Sequence, residues 1–248
     1  LADRHRQQAA PHKLSAAPAT ACAKQANRST TRCSDNTAED ARIHDRLPRK
    51  AGLHPMLPSQ STVNLVRHPR TPAPVVRLIE VHAARSAGGG LRLAYCLRGD
   101  MARLLIPAPE TSGSADGLWE HTCFEAFVGV AGETAYHEFN FSPSGQWAAY
   151  AFSGYRERDT TRALCTPPQM RATLTAGRLE LEAVLARECL PPTSRNATLQ
   201  IALSAVVEAI DTIDGSHSYW ALHHSGALPD FHQRAGFALE LAPPQAFA

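Results

Sequence analysis

Residues 118–152 read LWEHTCFEAFVGVAGETAYHEFNFSPSGQWAAYAF, and this stretch decides the fold. Trp119 to Val130 is rich in Thr, Phe and Val, the composition of a strand. Gly129 and Ala131-Gly132-Glu133 supply a turn before a second run, Tyr136 to Ser142. Pro143-Ser144-Gly145 breaks that run, and a third, Gln146 to Phe152, follows at once. Loops this short join neighbouring strands that pair antiparallel. Period-2 alternation in the second run puts His137, Phe139 and Phe141 on one face and Tyr136, Glu138, Asn140 and Ser142 on the other. The phenylalanines belong in a core. Glu138 and Asn140 are poor strand formers that fit a face turned to water or to a ligand. His121, Cys123 and Glu125 of the first run form a matching row. Two carboxylates, an amide and flanking aromatics are thus expected on one sheet surface, which is either a solvated outer face or the floor of a binding site.

Working outward, Val75–Ala83 and Leu91–Leu97 read as a hairpin around Gly88-Gly89-Gly90, with Leu91, Leu93, Tyr95 and Leu97 forming one apolar face. Ala102–Ile106 is a short apolar run ended by Pro107-Ala108-Pro109, and the polar loop 110–117 delivers the chain to Trp119. An aromatic at the mouth of such a loop stands where ligand contacts are commonly built. Beyond Phe152, Met170–Thr175 and Leu179–Leu185 form another hairpin around Ala176-Gly177. Thr198–Ile210 alternates well enough to be a strand, and Ser218–Leu222 and Phe237–Leu241 complete roughly nine or ten. No helical period of useful length occurs. The predicted class is all-β, an antiparallel β-sandwich.

Residues 1–60 contain no Phe, Tyr or Trp and no sustained period, and are expected to be a disordered N-terminal segment preceding a domain over 61–248. Within it, Ala38–Leu47 has the pattern for a helical turn or two. Met56, where the composition changes, is the expected native start; a basic arm is the other reading of the segment before it. Residues 1–55 carry 10 Lys and Arg against 5 Asp and Glu, leaving 15 against 18 in the rest of a chain whose net charge is +2. The presumed domain is mildly acidic, and all three lysines lie before it. Nucleic acid is therefore not an expected partner. No run is long and apolar enough for a membrane span, and the six scattered cysteines have no CxxC pairing, so neither membrane nor zinc ribbon is predicted. A cytoplasmic protein with reduced thiols is the expectation.

Three blocks, LWEHTCFEAF, YHEFNFSPSGQWAAYAFSGYR and YWALHHSGALPDFHQRAGFALEL, resemble the bacterial DOMON-like proteins, which are related to carbohydrate-binding module family 9. The resemblance runs from about Val63 to Leu241. It implies a β-sandwich with a concave ligand surface, in a superfamily whose members bind sugars or haem. Trp119 and Trp220 are the positions it suggests for an aromatic sandwich around a sugar, with Glu125, Glu138 and Asn140 as hydroxyl partners. The chemistry agrees, because an indole face packs on sugar C–H groups while carboxylates and amides satisfy hydroxyls. Trp147, among alanines, is expected in the core.

The leading expectation is a non-catalytic domain that binds a small-molecule or glycan ligand, with no catalytic residues, no metal and no assigned protein partner. Haem is the alternative cofactor. It would need axial ligands from Met56, Met101 or Met170, or from two of His121, His137, His217, His223, His224 and His232. Other readings are an acid/base pair formed by Glu125 and Glu138, a metal held by His223, Asp230 and His232, and a purely structural or protein-interaction module. There is no nucleophile elbow, phosphate loop or HExxH spacing.

Overall fold

Alternating apolar and polar residues build thirteen strands among the residues described by the computed structural model, which are 59–162, 166–210 and 217–244. In chain order they are β1 Gln60–Asn64, β2 Val66–Arg67, β3 Val76–Arg85, β4 Leu91–Gly99, β5 Cys123–Val130, β6 Tyr136–Phe141 and β7 Trp147–Gly154. After them come β8 Glu157–Arg158, β9 Gln169–Thr175, β10 Arg178–Leu185, β11 Leu199–Glu208, β12 His217–Ala221 and β13 Leu239–Leu241. All pairings between these strands are antiparallel. One sheet has the order β1-β3-β4-β10-β9; the other runs β2-β12-β11-β5-β6-β7-β8, with β13 also on β11. The remaining regular structure is short 3-10 turns, and no described helix is long and apolar enough to cross a membrane.

The two sheets bury a common core. Ile79, Val81, Leu93, Tyr95 and Leu181 of the smaller sheet meet Phe124, Phe139, Phe141, Leu203 and Trp220 of the larger. Each large apolar side chain buried there is worth roughly 1.5–3 kcal/mol relative to exposure, which is what holds the layers face to face. Tyr95 crosses between them: its ring lies 4.9 Å from Phe124 and its hydroxyl donates to the Glu125 carbonyl at 2.8 Å, so the one polar atom it buries is satisfied.

The all-β sandwich is as the alternation predicts, with several local differences. Only Ser59 and Gln60 of the expected 1–60 segment are described, and Gln60 is already the first residue of β1. The turn over 38–47 and Met56 lie outside the described residues. Trp119 is not in a strand; it sits in a 3-10 turn, Leu118–Glu120, entered through Gly117 at φ 75°. The strand begins at Cys123, so His121 leaves the row with Glu125. The apolar run at 102–106 is used as a 3-10 turn, Met101–Arg103, after which Leu104 bridges to Ala209. Trp147 is half-buried at the start of β7 rather than enclosed.

Candidate functional site

The outer face of the larger sheet carries its chemistry. Pairing sets Ser204 opposite Glu125, Glu125 opposite Asn140, Asn140 opposite Ala148, and Glu138 opposite Tyr150. Glu125, Glu138 and Asn140 therefore share one face, opposite to Phe124, Phe139 and Phe141. That face is not solvated, and their exposures are 3%, 6% and 0%. Around them Leu118, Phe127, Tyr136, Tyr150, Phe152, Ala202 and Phe237 form a second apolar cluster, separate from the inter-sheet core.

Burial of carboxylates costs free energy unless they are paired or protonated. Ser204 Oγ donates to Glu125 Oε2 at 3.0 Å, and Asn140 Nδ2 donates to Glu138 Oε1 at 2.9 Å. These bonds are too few. Burial pushes Glu125 up to about 8, with the neighbouring Glu138 charge adding to the rise and Ser204 opposing it. Burial likewise raises Glu138 to about 7, against the Asn140 hydrogen bond and the fields of Arg156 and Arg158. Glu125 has no such cation beside it, and its carboxyl is the more strongly raised of the two. The Asn140 Oδ1 atom is buried without a partner.

Segment 223–238 covers this row. His232 Nδ1 and the Tyr136 hydroxyl share a hydrogen bond at 2.8 Å, and that hydroxyl accepts from the Arg156 N–H at 3.2 Å. The remaining ring nitrogen, Nε2, lies 3.7 Å from Glu138 Oε2. Burial, with Arg156 nearby, drops His232 to about 4, so the ring is neutral beside Glu138. Asp230 ties the segment to the β7–β8 turn by accepting from Tyr155 OH at 2.6 Å and Arg156 Nη2 at 2.9 Å.

Beyond the Ser142 end of the same face the surface opens into a cleft of about 550 Å³, between the 107–121 loop and the turn joining β6 to β7. The loop is fixed to that turn by backbone bonds: Glu110 N donates to Ser144 O at 2.8 Å, Ala115 N to Trp147 O at 2.9 Å, and Trp147 N to Gly113 O at 3.0 Å. Gly145, at φ 97°, lets the turn reverse tightly. Trp119 forms one wall. It is 44% exposed and packs edge-on 6.2 Å from Tyr150, whose hydroxyl donates to Asp116 Oδ1 at 2.5 Å. Ser142, Ser144, Gln146, Glu120 and His121 complete a polar lining.

Of the five residues singled out from the sequence, the structure brings Glu125, Glu138 and Asn140 together, but beneath the cover rather than on the cleft wall. Trp119 is on the wall. Trp220 is a correction: it pairs with Ala205 on the inward row, is 6% exposed, and belongs to the inter-sheet core with its Nε1 donating to Ser218 Oγ at 3.0 Å. The two tryptophans thus lie on opposite sides of the sheet and cannot sandwich one sugar. Asp116, Tyr150, Ser144 and Arg234 were missed, and His232, read from the sequence as a haem or metal ligand, serves in the cover instead. Gly129, read from the sequence as part of the turn, lies inside β5, and as a strand glycine it was the available signal for Arg234.

Among the described residues no methionine lines the cleft. Met101 is buried in the inter-sheet core and Met170 packs against it, both on the far side of the larger sheet, and Met56 lies outside the described residues. His121, His137, His217, His224 and His232 each place one ring nitrogen on a protein partner, and His223 is exposed. Asp230 accepts from Tyr155, Arg156 and Gln233, and no metal-holding group of three His, Cys, Asp or Glu occurs among the described residues.

No protein-family model and no curated protein sequence matches this chain. Among solved structures the fold is similar to a protein from Bacteroides uniformis ATCC 8492 described as a candidate carbohydrate-binding protein. The TM-score is 0.53 and the identity 18%, over 73% of this chain and 85% of that one. A carbohydrate-binding module of family 9 from Caldicellulosiruptor kristjanssonii, solved with cellotriose, gives a TM-score of 0.45 and 10% identity over 74% and 83%. The likeness is one of fold, an all-β sandwich of antiparallel sheets.

Proposed function

We propose that this protein is a non-catalytic, DOMON-like glycan-binding domain whose ligand occupies the Trp119 cleft. The observation that carries the reading is the half-exposed Trp119 indole on the wall of a preformed cleft whose lining also holds hydroxyl, amide and carboxylate groups. An apolar ring face beside convergent hydrogen-bonding groups matches the two-sided chemistry of a sugar, whose C–H faces stack and whose edges carry hydroxyls. The description of the Bacteroides uniformis neighbour as carbohydrate-binding agrees with it. Binding is favoured over bond cleavage because Glu125 and Glu138 stand buried, each already accepting a hydrogen bond from the protein.

The test is calorimetric titration of neutral oligosaccharides, chosen by glycan-array screening, into the wild type and Trp119→Ala. Loss of a hit in the variant, with its thermal midpoint retained, supports the cleft. Equal binding by both proteins, or no glycan bound by the wild type, removes it.

A further inference from the structure

The charge of the cleft is one-sided. Its lining includes Glu110, Asp116 and Glu120 and no Lys or Arg. This belongs to a longer asymmetry: residues 104–155 contain Glu110, Asp116, Glu120, Glu125, Glu133 and Glu138 and not one Lys or Arg. The one ring in the lining that could become cationic, His121, is itself held by a further carboxylate, Glu208 Oε2, at 3.0 Å from Nδ1. Among the described residues neither the Glu110 nor the Glu120 carboxylate has an ion-pair partner. The Arg158 guanidinium, near this group, is engaged over the Tyr150 ring at 4.2 Å from its centroid. Tyr150 therefore stands as the aromatic partner of both Arg158 and Trp119.

Carboxylates on a concave wall set up a negative potential that attracts cations and repels anions, and an open indole face adds the attraction of its π-cloud for an ammonium group. A neutral sugar meets the aromatic face and the hydrogen-bonding groups but leaves the acidic side chains uncompensated. A uronate brings like charges together. An amino sugar uses both features at once.

We infer that the Trp119 cleft selects a glycan bearing free amino groups, a protonated amino sugar, over a neutral glycan of the same shape and against a uronate. This rests on the proposal that the cleft binds glycans, and it names the class. Discrimination comes from unfavourable contacts with the wrong ligand as much as from favourable ones with the right one. Because the carboxylates face solvent, the preference is modest and screened by salt.

The experiment uses the full chain and three oligomers of equal length: β-1,4-glucosamine, its hydroxyl counterpart β-1,4-glucose, and galacturonate. Titrations are run at mildly acidic pH, where the amine is protonated and exposed carboxylates are ionised. The expected result is that the glucosamine oligomer binds about tenfold more tightly than the glucose oligomer at low salt and that galacturonate does not bind, with the ratio shrinking as salt is raised through the range where the Debye length falls below about 8 Å. In Glu110→Gln/Glu120→Gln the ratio of the two affinities falls toward one. Equal or tighter binding of the glucose oligomer, abolished by Trp119→Ala, overturns the amino-sugar inference while the glycan-binding cleft stands. An amine preference that survives in Trp119→Ala overturns it too, because the acidic surface then acts without the cleft. If no oligomer binds, both readings fall.

Discussion

The Arg234 guanidinium lies against the backbone of Gly129, in the space a side chain would need: a Cβ added to Gly129 would stand 2.3 Å from Arg234 Nη1. From there Arg234 Nη2 donates to the Val130 and Glu133 carbonyls and to Gln200 Oε1, at 3.0, 3.1 and 3.0 Å. Its guanidinium also lies over the Phe237 ring. The cover is thus pinned to the sheet through a strand position that is bare. Gly129→Ala is expected to dislodge Arg234 and cost about 1.5–3 kcal/mol, the usual range for losing hydrogen bonds made by a charged group. Arg234→Ala should cost a similar amount, and the double variant little more than either single one. Additive losses in denaturant unfolding would mean that the two residues act independently.

The two tryptophans should separate cleanly in stability. Trp220→Ala empties a core position and is expected to cost about 3–5 kcal/mol. Trp119→Ala removes a half-exposed side chain and should cost under about 1 kcal/mol. A Trp220→Ala midpoint within experimental error of the wild type would contradict its place between the sheets.

Stability should fall as pH rises through the neutral range. Glu125 and Glu138 are raised from 4.5 to about 8 and about 7, so the folded state keeps protons that the unfolded chain has lost. Their contribution is complete below the unfolded value and disappears as pH climbs through 7 to 8. His232, lowered from 6.5 to about 4, works oppositely, contributing above 6.5 and losing its share as pH falls through about 4. Between about pH 6.5 and 8.5 the carboxylate effect dominates, because the lowered imidazoles of His137, His224 and His232 deliver most of their share below that window, and the loss is on the order of 1–3 kcal/mol. Thermal melts should record this, and Glu125→Gln should flatten the slope. A midpoint that rises with pH in that window would show that neither carboxyl is buried as a neutral group.

Asn140→Asp places a third acid beside Glu125 and Glu138 and removes the donor to Glu138 Oε1. A destabilisation of about 2–4 kcal/mol is expected at neutral pH, as for a buried charge without a partner. Part of it should return at mildly acidic pH, where a protonated Asp can donate again. An equal loss at both pH values would indicate a packing defect in place of a charge effect.

The sequence alone determined the sheet and its two faces. In β6 the strict alternation of Tyr136, Glu138 and Asn140 with His137, Phe139 and Phe141 leaves one way to bury the phenylalanines, and that choice carries Glu138 and Asn140 to the other side. Turn residues at Gly88-Gly89-Gly90, Ala131-Gly132-Glu133 and Ala176-Gly177 placed the hairpins for the same local reason. Gly129 was legible in principle as a strand glycine that admits a close neighbour, but nothing local says which neighbour. Only the tertiary structure decided what covers the outer face. The Tyr136–His232 bond joins residues 96 apart in sequence, and such contacts depend on how the chain returns rather than on any period within a strand. Trp220 shows the same limit, since β12 carries an aromatic on each face, Tyr219 on one and Trp220 on the other. Its side was fixed by the pairing of Ala205 with Trp220 and by no pattern of its own.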